Sequence, residues 1–133
     1  MGKITYIGIN PNFGRNSVFR LREGQDPPSG VPLDPRLDLR RHSPDGFAWG
    51  YGGSGPAQLS LALLADFLGK DRRAVRLYQD FKFSVVARLP QRERWILTGE
   101  EIAAAVDRIE QQHGWAWSEA AQSYEDEIGV ETA

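Results

Sequence analysis

The first quarter of the chain alternates apolar residues with polar or small ones at a period of two, which is typical of β-strands. Residues 3–9 alternate β-branched and aromatic side chains and stop at Asn10-Pro11-Asn12, so they predict a first strand followed by a turn. Residues 17–22 predict its antiparallel partner in a hairpin. Residues 23–35 are rich in Pro, Gly and Asp and predict a surface loop, and residues 32–41 predict an extended segment.

The most apolar segment lies in the middle of the chain and predicts a helix over residues 56–68. Pro56 suits the first helical position, Gly55 before it suits the N-cap, and Gly69 suits the residue that follows the helix end. Apolar side chains cover nearly the whole circumference of this segment. A helix without a polar face has to be central to the core.

The pattern after Gly69 predicts a second helix and two strands. Asp71 predicts the cap of a helix that runs to about Asp80. Residues 82–89 are rich in β-branched and aromatic side chains and predict a strong strand, and residues 95–97 predict a short one.

A third helix is predicted over residues 99–113. Thr98 and Glu101 have the spacing of a capping box, in which each side chain bonds to the backbone amide of the other residue. Apolar residues at helical spacing form a buried stripe, and Glu110 is among the residues predicted to face water. The whole pattern predicts an α+β fold, with a small, mostly antiparallel sheet packed against a central apolar helix and two further helices.

Residues 42–58 contain a dense run of glycines and aromatics. Phe47, Trp49 and Tyr51 alternate with small residues, so a strand here would place all three rings on one face. Regularly spaced aromatics in a small domain usually bury their large area, which favours a core role for the rings. A stacking platform for a ligand is the alternative.

Length and composition fit one domain over residues 1–133, with 41% hydrophobic and 26% charged residues. No segment approaches the roughly 20 apolar residues that span a bilayer, and the first residues lack the apolar core of a secretory signal. These features predict a cytoplasmic protein without membrane contact. The absence of cysteine excludes disulfides and thiolate chemistry, and two histidines far apart predict no metal site. No motif predicts a cofactor.

Charge is divided unevenly along the chain. Residues 1–97 carry fifteen Lys and Arg against nine Asp and Glu, whereas residues 98–133 carry one base against nine acids. The acidic C-terminal segment over residues 114–133 is interpreted as a solvated region or as an intramolecular mimic of an acidic partner. Its two tryptophans either dock the segment on the domain or contact a second protein. The candidate partner-binding residues are Arg72, Arg73, Arg76, Trp115 and Trp117.

The segment from Asp38 to about Leu68 resembles the core of a bacterial and phage family of unknown function. The motif that carries the resemblance is His42-Ser43-Pro44-Asp45-Gly46-Phe47 followed by Trp49-Gly50-Tyr51-Gly52-Gly53-Ser54-Gly55-Pro56-Ala57-Gln58-Leu59, and the similarity extends to about Trp95. The resemblance implies a small protein of bacterial or mobile-element genomes. It implies no catalytic residue, and it leaves residues 1–37 and the acidic end outside the family.

The glycine run also predicts a candidate anion site. Successive backbone amides that lead into a helix N-terminus can bind phosphate or carboxylate, and the basic residues before the run could add charge. A purely structural glycine turn is the alternative, and the run lacks the lysine of a phosphate-binding loop. The candidate residues are Arg40, Arg41, His42, Gly52, Gly53, Ser54 and Gly55.

An acid–base site at His42 and Asp45, with Ser43 or Ser54 as nucleophile, is the weaker interpretation of the same segment. The order His-Ser-Pro-Asp-Gly more naturally forms a turn, because Ser43 precedes a proline and Asp45 precedes a glycine. No catalytic residue is predicted.

Two classes of function therefore stay open. The first is a non-enzymatic binding protein with a protein or ribonucleoprotein partner, for example an inhibitor of a host defence complex in the manner of an anti-CRISPR protein. The second is an enzyme or sensor that binds a phosphorylated small molecule at Gly52–Gly55. Direct nucleic-acid binding is a weaker third possibility, because a pI near 5.7 disfavours non-specific affinity. The sequence predicts no oligomeric state.

Overall fold

A computed structural model describes residues 3–9, 17–26 and 29–115. Within these residues the chain forms four strands, three α-helices and one 3₁₀ helix. They are β1 (Ile4–Ile9), β2 (Ser17–Arg22), β3 (Val31–Pro32), α1 (Ser54–Leu68), α2 (Asp71–Ser84), the 3₁₀ helix (Val86–Arg88), β4 (Trp95–Thr98) and α3 (Gly99–His113). The fold is α+β, as the sequence predicted.

The strands form one antiparallel sheet in the order β3-β2-β1-β4. Tyr6 on β1 lies opposite Arg20 on β2 and Leu97 on β4. The predicted hairpin partner over residues 17–22 and the predicted short strand near residue 95 are both confirmed. The turn predicted at residues 10–12 lies outside the described residues.

One face of the sheet packs on the helices through buried aromatic side chains. Trp49 and Trp95 meet edge to face, with ring centroids 5.5 Å apart, which is a favourable aromatic geometry. The Trp95 indole occupies the space that a Cβ atom at Gly8 would need. Tyr6 donates a hydrogen bond of 2.6 Å to Asp66 on α1, so the sheet and the central helix are joined by a polar contact as well.

Helix α1 is the centre of the core, as its composition predicted. Every residue from Gly55 to Ala65 is buried, and the helix ends at Gly69 in the left-handed conformation (φ 66°). Its start differs from the prediction, because Gly53 is the N-cap and the helix begins at Ser54. Pro56 still fits the first turn, where its missing N–H leaves no helical hydrogen bond unmade.

The strand predicted over residues 82–89 is wrong. Helix α2 continues to Ser84, and the 3₁₀ helix follows. Buried residues recur at helical spacing beyond the predicted end at Asp80, and Phe81 and Lys82 continue that stripe, so packing outweighs the β-propensity of the two valines that follow. The N-cap of α2 is Lys70 and no side chain caps this end, so the predicted cap at Asp71 is also wrong.

Helix α3 begins with the predicted capping box. The Thr98 hydroxyl accepts a hydrogen bond from the Glu101 amide, and the Glu101 carboxylate accepts one from the Thr98 amide. The prediction that Glu110 faces water is wrong. Glu110 is buried and forms a two-pronged ion pair with Arg73, with N–O distances of 2.7 and 2.9 Å. This pair joins α2 to α3.

The aromatic run does not lie on one buried face. Trp49 is fully buried, Phe47 is partly buried against the core, and Tyr51 is 44% exposed. The strand that would have aligned the three rings does not form beyond an isolated bridge at residue 47. Gly50 turns the chain with a φ of 85°, which breaks the two-residue alternation between Trp49 and Tyr51.

The extended segment predicted over residues 32–41 is wrong at residues 36–39. A turn forms at residues 36–39, closed by a hydrogen bond from the Leu39 amide to the Arg36 carbonyl. Arg36 has a φ of 56°, and its guanidinium pairs with Asp38 and Asp71. Ion pairs to both its own loop and α2 hold this unusual backbone conformation in place.

Among the described residues, no helix has the length and apolar character needed to cross a bilayer.

Candidate functional site at the start of helix α1

The segment that precedes α1 is held against the helix by one buried side chain, Gln58. Its carbonyl oxygen accepts hydrogen bonds from the His42 amide (2.7 Å) and the Ser43 amide (3.1 Å). Its amide nitrogen donates to the carbonyls of Pro35 (2.6 Å) and Arg40 (3.0 Å). All four hydrogen-bonding positions of the amide group are therefore used. Gln58 fixes where His42 lies.

His42 lies between the loop and α2. Its Nε2 atom is hydrogen-bonded to the Tyr78 hydroxyl at 2.7 Å. Partial burial lowers the pKa of the His42 imidazole below its usual 6.5, and the charges of Lys82 and Arg40 lower it further. The neutral imidazole is therefore the form that the fold favours.

This shift predicts a pH dependence of stability. Because the folded state resists protonation of His42, the unfolded chain binds the proton more readily as the pH falls below 6.5. The free energy of unfolding should fall in that range, and His42→Gln should remove this part of the fall. Denaturant titrations of both proteins at several pH values would test the prediction. Parallel pH curves would contradict it.

Two exposed rings flank the glycines just before α1. Phe83 is 59% exposed, and its Cε1 atom lies 3.1 Å from where a Cβ atom at Gly52 would be. The Tyr51 ring lies against Gly53 in the same way. The Lys82 ammonium lies 4.2 Å from the centroid of the Phe83 ring, which is a cation–π contact. We call these five residues, Tyr51, Gly52, Gly53, Lys82 and Phe83, the α1 entrance surface.

At the start of α1, Ser54 is exposed and Gly55 after it is buried. No side chain caps the helix, and no acidic residue lies in its first turn. Ser54 and Gly55 are the first two residues of the helix, so no preceding helical turn provides a carbonyl acceptor for their N–H groups. The helix dipole adds partial positive charge at this end. None of Gly52, Gly53 and Gly55 has a positive φ, so the alternating backbone of an anion nest is not formed.

The predicted anion-site residues therefore fall into two groups. Gly52, Gly53 and Ser54 lie at the accessible start of α1, whereas Gly55 is buried, and a Cβ atom there would come within 2.6 Å of the Ala48 Cβ. Gly55 thus serves packing. The charges of Lys82 and Arg40 both lower the pKa of His42, so these three side chains lie near one another. Arg41, the residue between Arg40 and His42, is exposed.

The predicted partner-binding arginines lie mainly on the surface between α2 and α3. Arg73 pairs with Glu110, and Arg76 lies over the Trp115 ring at 5.6 Å. Trp115 also stacks on His113 with centroids 4.0 Å apart and packs against the core. Arg72, like the other two, makes contacts within the chain. Trp117 lies outside the described residues. Partner binding by these side chains stays a prediction.

The weaker acid–base interpretation does not assemble in the structure. The Ser43 hydroxyl donates to the Gly46 carbonyl at 2.7 Å, which closes the predicted turn. The imidazole of His42 bonds to Tyr78 instead of a serine. Within the described ranges, no three His, Asp or Glu side chains are grouped as metal ligands.

A separate concavity lies at the other end of the helices. It has a volume of about 460 Å³ and lies between β1, the end of α1 and the start of α3. Its walls are mainly apolar, and it contains none of the candidate residues. The lining residues are Lys3, Ile4, Thr5, Phe67, Thr98, Gly99, Glu100 and Ala103.

Three residues of the site had no role in the sequence prediction. Phe83 and Lys82 were placed in a strand, and Gln58 appeared only within the motif that carries the family resemblance. The four-residue spacing from Tyr78 to Lys82 could have placed Lys82 on the buried face of α2. Nothing local to Gln58 could have indicated its partners, which lie 15 to 23 residues away along the chain.

Comparison with known proteins identifies a family and nothing further. No curated protein and no solved structure matches the chain. One family model matches residues 15–108, which is more than half of the chain and includes every residue of the α1 entrance surface. The match starts well before Asp38, so it also includes β2 and β3, which the sequence resemblance had left out. The chain belongs to the family of unknown function DUF6166.

Proposed function

We propose that the protein is a non-catalytic binding protein whose α1 entrance surface contacts a protein or ribonucleoprotein partner. The observation that carries the proposal is the pair of exposed rings, Tyr51 and Phe83, on either side of bare glycine backbone. Aromatic side chains dominate the binding energy of many interfaces because they bury a large area with few rotatable bonds. Glycines between them let a partner approach the main chain.

The charge around the rings specifies the kind of partner. Lys82 lies over the Phe83 ring, its charge and that of Arg40 both act on His42, and the first turn of α1 contains no carboxylate. Such a surface complements an acidic protein face or the phosphates of a ribonucleoprotein. The net charge of −2 is no obstacle, because the local potential determines which surface approaches.

The test is a comparison of two matched variants. In Tyr51→Ala/Phe83→Ala both exposed rings are removed, whereas Ile96→Ala removes a side chain that is 60% exposed on the opposite face of the sheet. Tagged wild-type protein captures candidate partners from a bacterial lysate, and the complex is then rebuilt from purified components. We expect a stoichiometric complex that the double variant weakens at least about tenfold and Ile96→Ala leaves unchanged.

Two results would overturn the proposal. One is equal affinity of the wild-type protein and the double variant for the purified partner. The other is failure to rebuild any complex from purified components. Thermal unfolding of the variants provides the control for folding, because exposed side chains contribute little to stability.

A finer proposal concerns the biological setting. The resemblance to a bacterial and phage family supports an origin in a bacterial or mobile-element genome, and a binding protein of this kind would inhibit a host defence complex by occupying its surface. Adding the purified protein to a reconstituted RNA-guided nuclease reaction tests this. Inhibition by wild-type protein and by Ile96→Ala, but not by the double variant, is the expected result, and unchanged cleavage would contradict it for that nuclease.

A further inference from the structure

The outer edge of strand β4 is open within the described part of the chain. The sheet order places β4 at one end with β1 as its neighbour, and the described residues provide no strand for its other side. At the opposite end of the sheet, β3 is two residues long and contains Pro32, which has no N–H to donate. Residues 95–98 contain neither proline nor lysine, which commonly protect an edge strand from pairing.

The backbone groups of Ile96 point toward this open edge. The Thr98 amide donates to the Glu101 carboxylate instead of to β1. Because the hydrogen-bonding groups of a strand alternate between its two edges, the N–H and C=O of Ile96 point in the same direction as those of Thr98, away from β1. A donor and an acceptor on one residue in the middle of the edge can pair with another strand.

An apolar row crosses the sheet and ends at the same edge. Phe19 on β2 lies opposite Ile7 on β1, and Ile7 lies opposite Ile96 on β4. Their neighbours Tyr6 and Leu97 belong to the core on the helix side, so this row lies on the other face of the sheet. Ile96, the last residue of the row, is 60% exposed.

The two flanks of β4 have opposite net charge. The charged residues are all exposed, and they are Arg92, Glu93 and Arg94 before the strand and Glu100 and Glu101 after it. Lys3 lies 3.7 Å from Glu100, but both side chains are 80% exposed, so this contact contributes little. A strand that runs antiparallel to β4 places its first flank beside the acidic flank, and it fits best if that flank is basic. A second copy of β4 meets this requirement at both ends.

We propose that two copies of the protein associate by antiparallel pairing of their β4 edges around a two-fold axis at Ile96. In this arrangement the two Ile96 residues exchange N–H to C=O hydrogen bonds, and each Arg94 amide donates to the Thr98 carbonyl of the other copy. The two Ile96 side chains lie directly opposite each other and lose contact with water. Each basic flank lies beside an acidic one, which is the self-complementarity that a two-fold interface requires. The inference goes beyond the proposed function.

Sedimentation equilibrium between about 10 µM and 1 mM protein tests the association. We expect a reversible monomer–dimer equilibrium in this range, because short strands bury less area than a stable dimer interface. Ile96→Lys places a charge in the middle of the edge and should weaken association at least about tenfold. Val31→Lys places the same charge at a 48% exposed apolar position of β3 and should leave association unchanged.

Two results of this experiment would overturn the inference. One is a protein that stays monomeric over the whole range, and the other is equal association of the two lysine variants. Thermal unfolding at low concentration provides the control for folding, because exposed side chains contribute little to stability.

Charge reversal tests the contact between the flanks. Arg94→Glu reverses the net charge of the basic flank and should weaken association at least about fivefold. Glu100→Arg neutralises the acidic flank and should also weaken it. An equal mixture of the two variants should form more dimer than either variant alone, because the acidic flank of one still meets the basic flank of the other. A mixture that associates no better would overturn the antiparallel arrangement.

Nuclear magnetic resonance observes the pairing directly. In a mixture of ¹³C-labelled and unlabelled protein, we expect nuclear Overhauser contacts between Ile96 methyl groups of different chains, which are close only in this register. Exchange of the Ile96 amide hydrogen should slow as the protein concentration rises, because the amide becomes hydrogen-bonded. A dimer that shows neither signal uses another surface and would overturn the inference.

The β4 edge shares no residue with the α1 entrance surface, so the two proposals are tested separately. Tyr51→Ala/Phe83→Ala should dimerise as wild-type protein does, and Ile96→Lys should bind the macromolecular partner with unchanged affinity per chain. Weaker dimerisation in the ring variant would overturn the assignment of the dimer to β4. Loss of partner binding in Ile96→Lys would place the partner, instead of a second copy, on the β4 edge and would also overturn it.

Discussion

Gln58→Leu is expected to lower the free energy of unfolding by about 3–5 kcal/mol, because four backbone groups lose their hydrogen-bond partner at once. Gln58 is fully buried, and leucine has a similar volume, so the substitution leaves little cavity. The amides of His42 and Ser43 and the carbonyls of Pro35 and Arg40 would lack their side-chain partner. Chemical denaturation of both proteins measures the difference.

Gln58→Glu is the matched control, because it retains one half of the interaction. A carboxylate oxygen can still accept from the two amides, but its other oxygen faces two carbonyls that require a donor. We expect an intermediate loss that becomes smaller as the pH is lowered and the carboxyl group gains a proton to donate. A loss below about 1 kcal/mol in Gln58→Leu would show that the loop does not depend on this residue.

The same residue shows how far sequence reasoning could go. The strands β1 and β2, the central helix α1 and the Thr98 capping box were predicted correctly, because each signal lies within a few residues of the element that it specifies. The role of Gln58 depends on the turn at residues 36–39, where the Arg36 guanidinium also pairs with Asp71, 35 residues away along the chain. Long-range contacts of this kind leave no local pattern.

The candidate site was also predicted only in part, because some of its residues are brought together by long-range contacts. The glycine run and its neighbouring basic residues were identified as a candidate contact surface; the glycines lead into α1, and the backbone of Arg40 and His42 is hydrogen-bonded to Gln58 in that helix. The two residues that change its chemistry, Lys82 and Phe83, were assigned to a strand because valines follow them. Helix α2 continues through them because Phe81 and Lys82 extend its buried face by another turn. Tyr51 was predicted to be buried and is exposed, because Gly50 reverses the alternation.

Gly50 packs against the segment that follows α2, the helix that carries Phe83. Its amide donates to the Val86 carbonyl at 3.0 Å, and a Cβ atom on Gly50 would lie 2.6 Å from the Gln91 Cα and 2.8 Å from the Leu89 carbonyl oxygen. The segment that follows α2 therefore crosses directly over Gly50. Because these are backbone atoms, they cannot move aside without shifting the end of α2.

Gly50→Ala should therefore lower the free energy of unfolding by about 2–5 kcal/mol, from left-handed strain of about 1–2 kcal/mol and overpacking of about 1–3 kcal/mol. Gly24→Ala isolates the first contribution, because Gly24 has nearly the same φ (86° against 85°) but no atom near its Cβ position. We expect Gly24→Ala to cost only the strain, and Gly50→Ala alone to shift the amide resonances of residues 83–91. Equal losses in the free energy of unfolding of the two variants would mean that the close crossing at Gly50 does not position the end of α2. Other contacts would then have to position Phe83 in the α1 entrance surface.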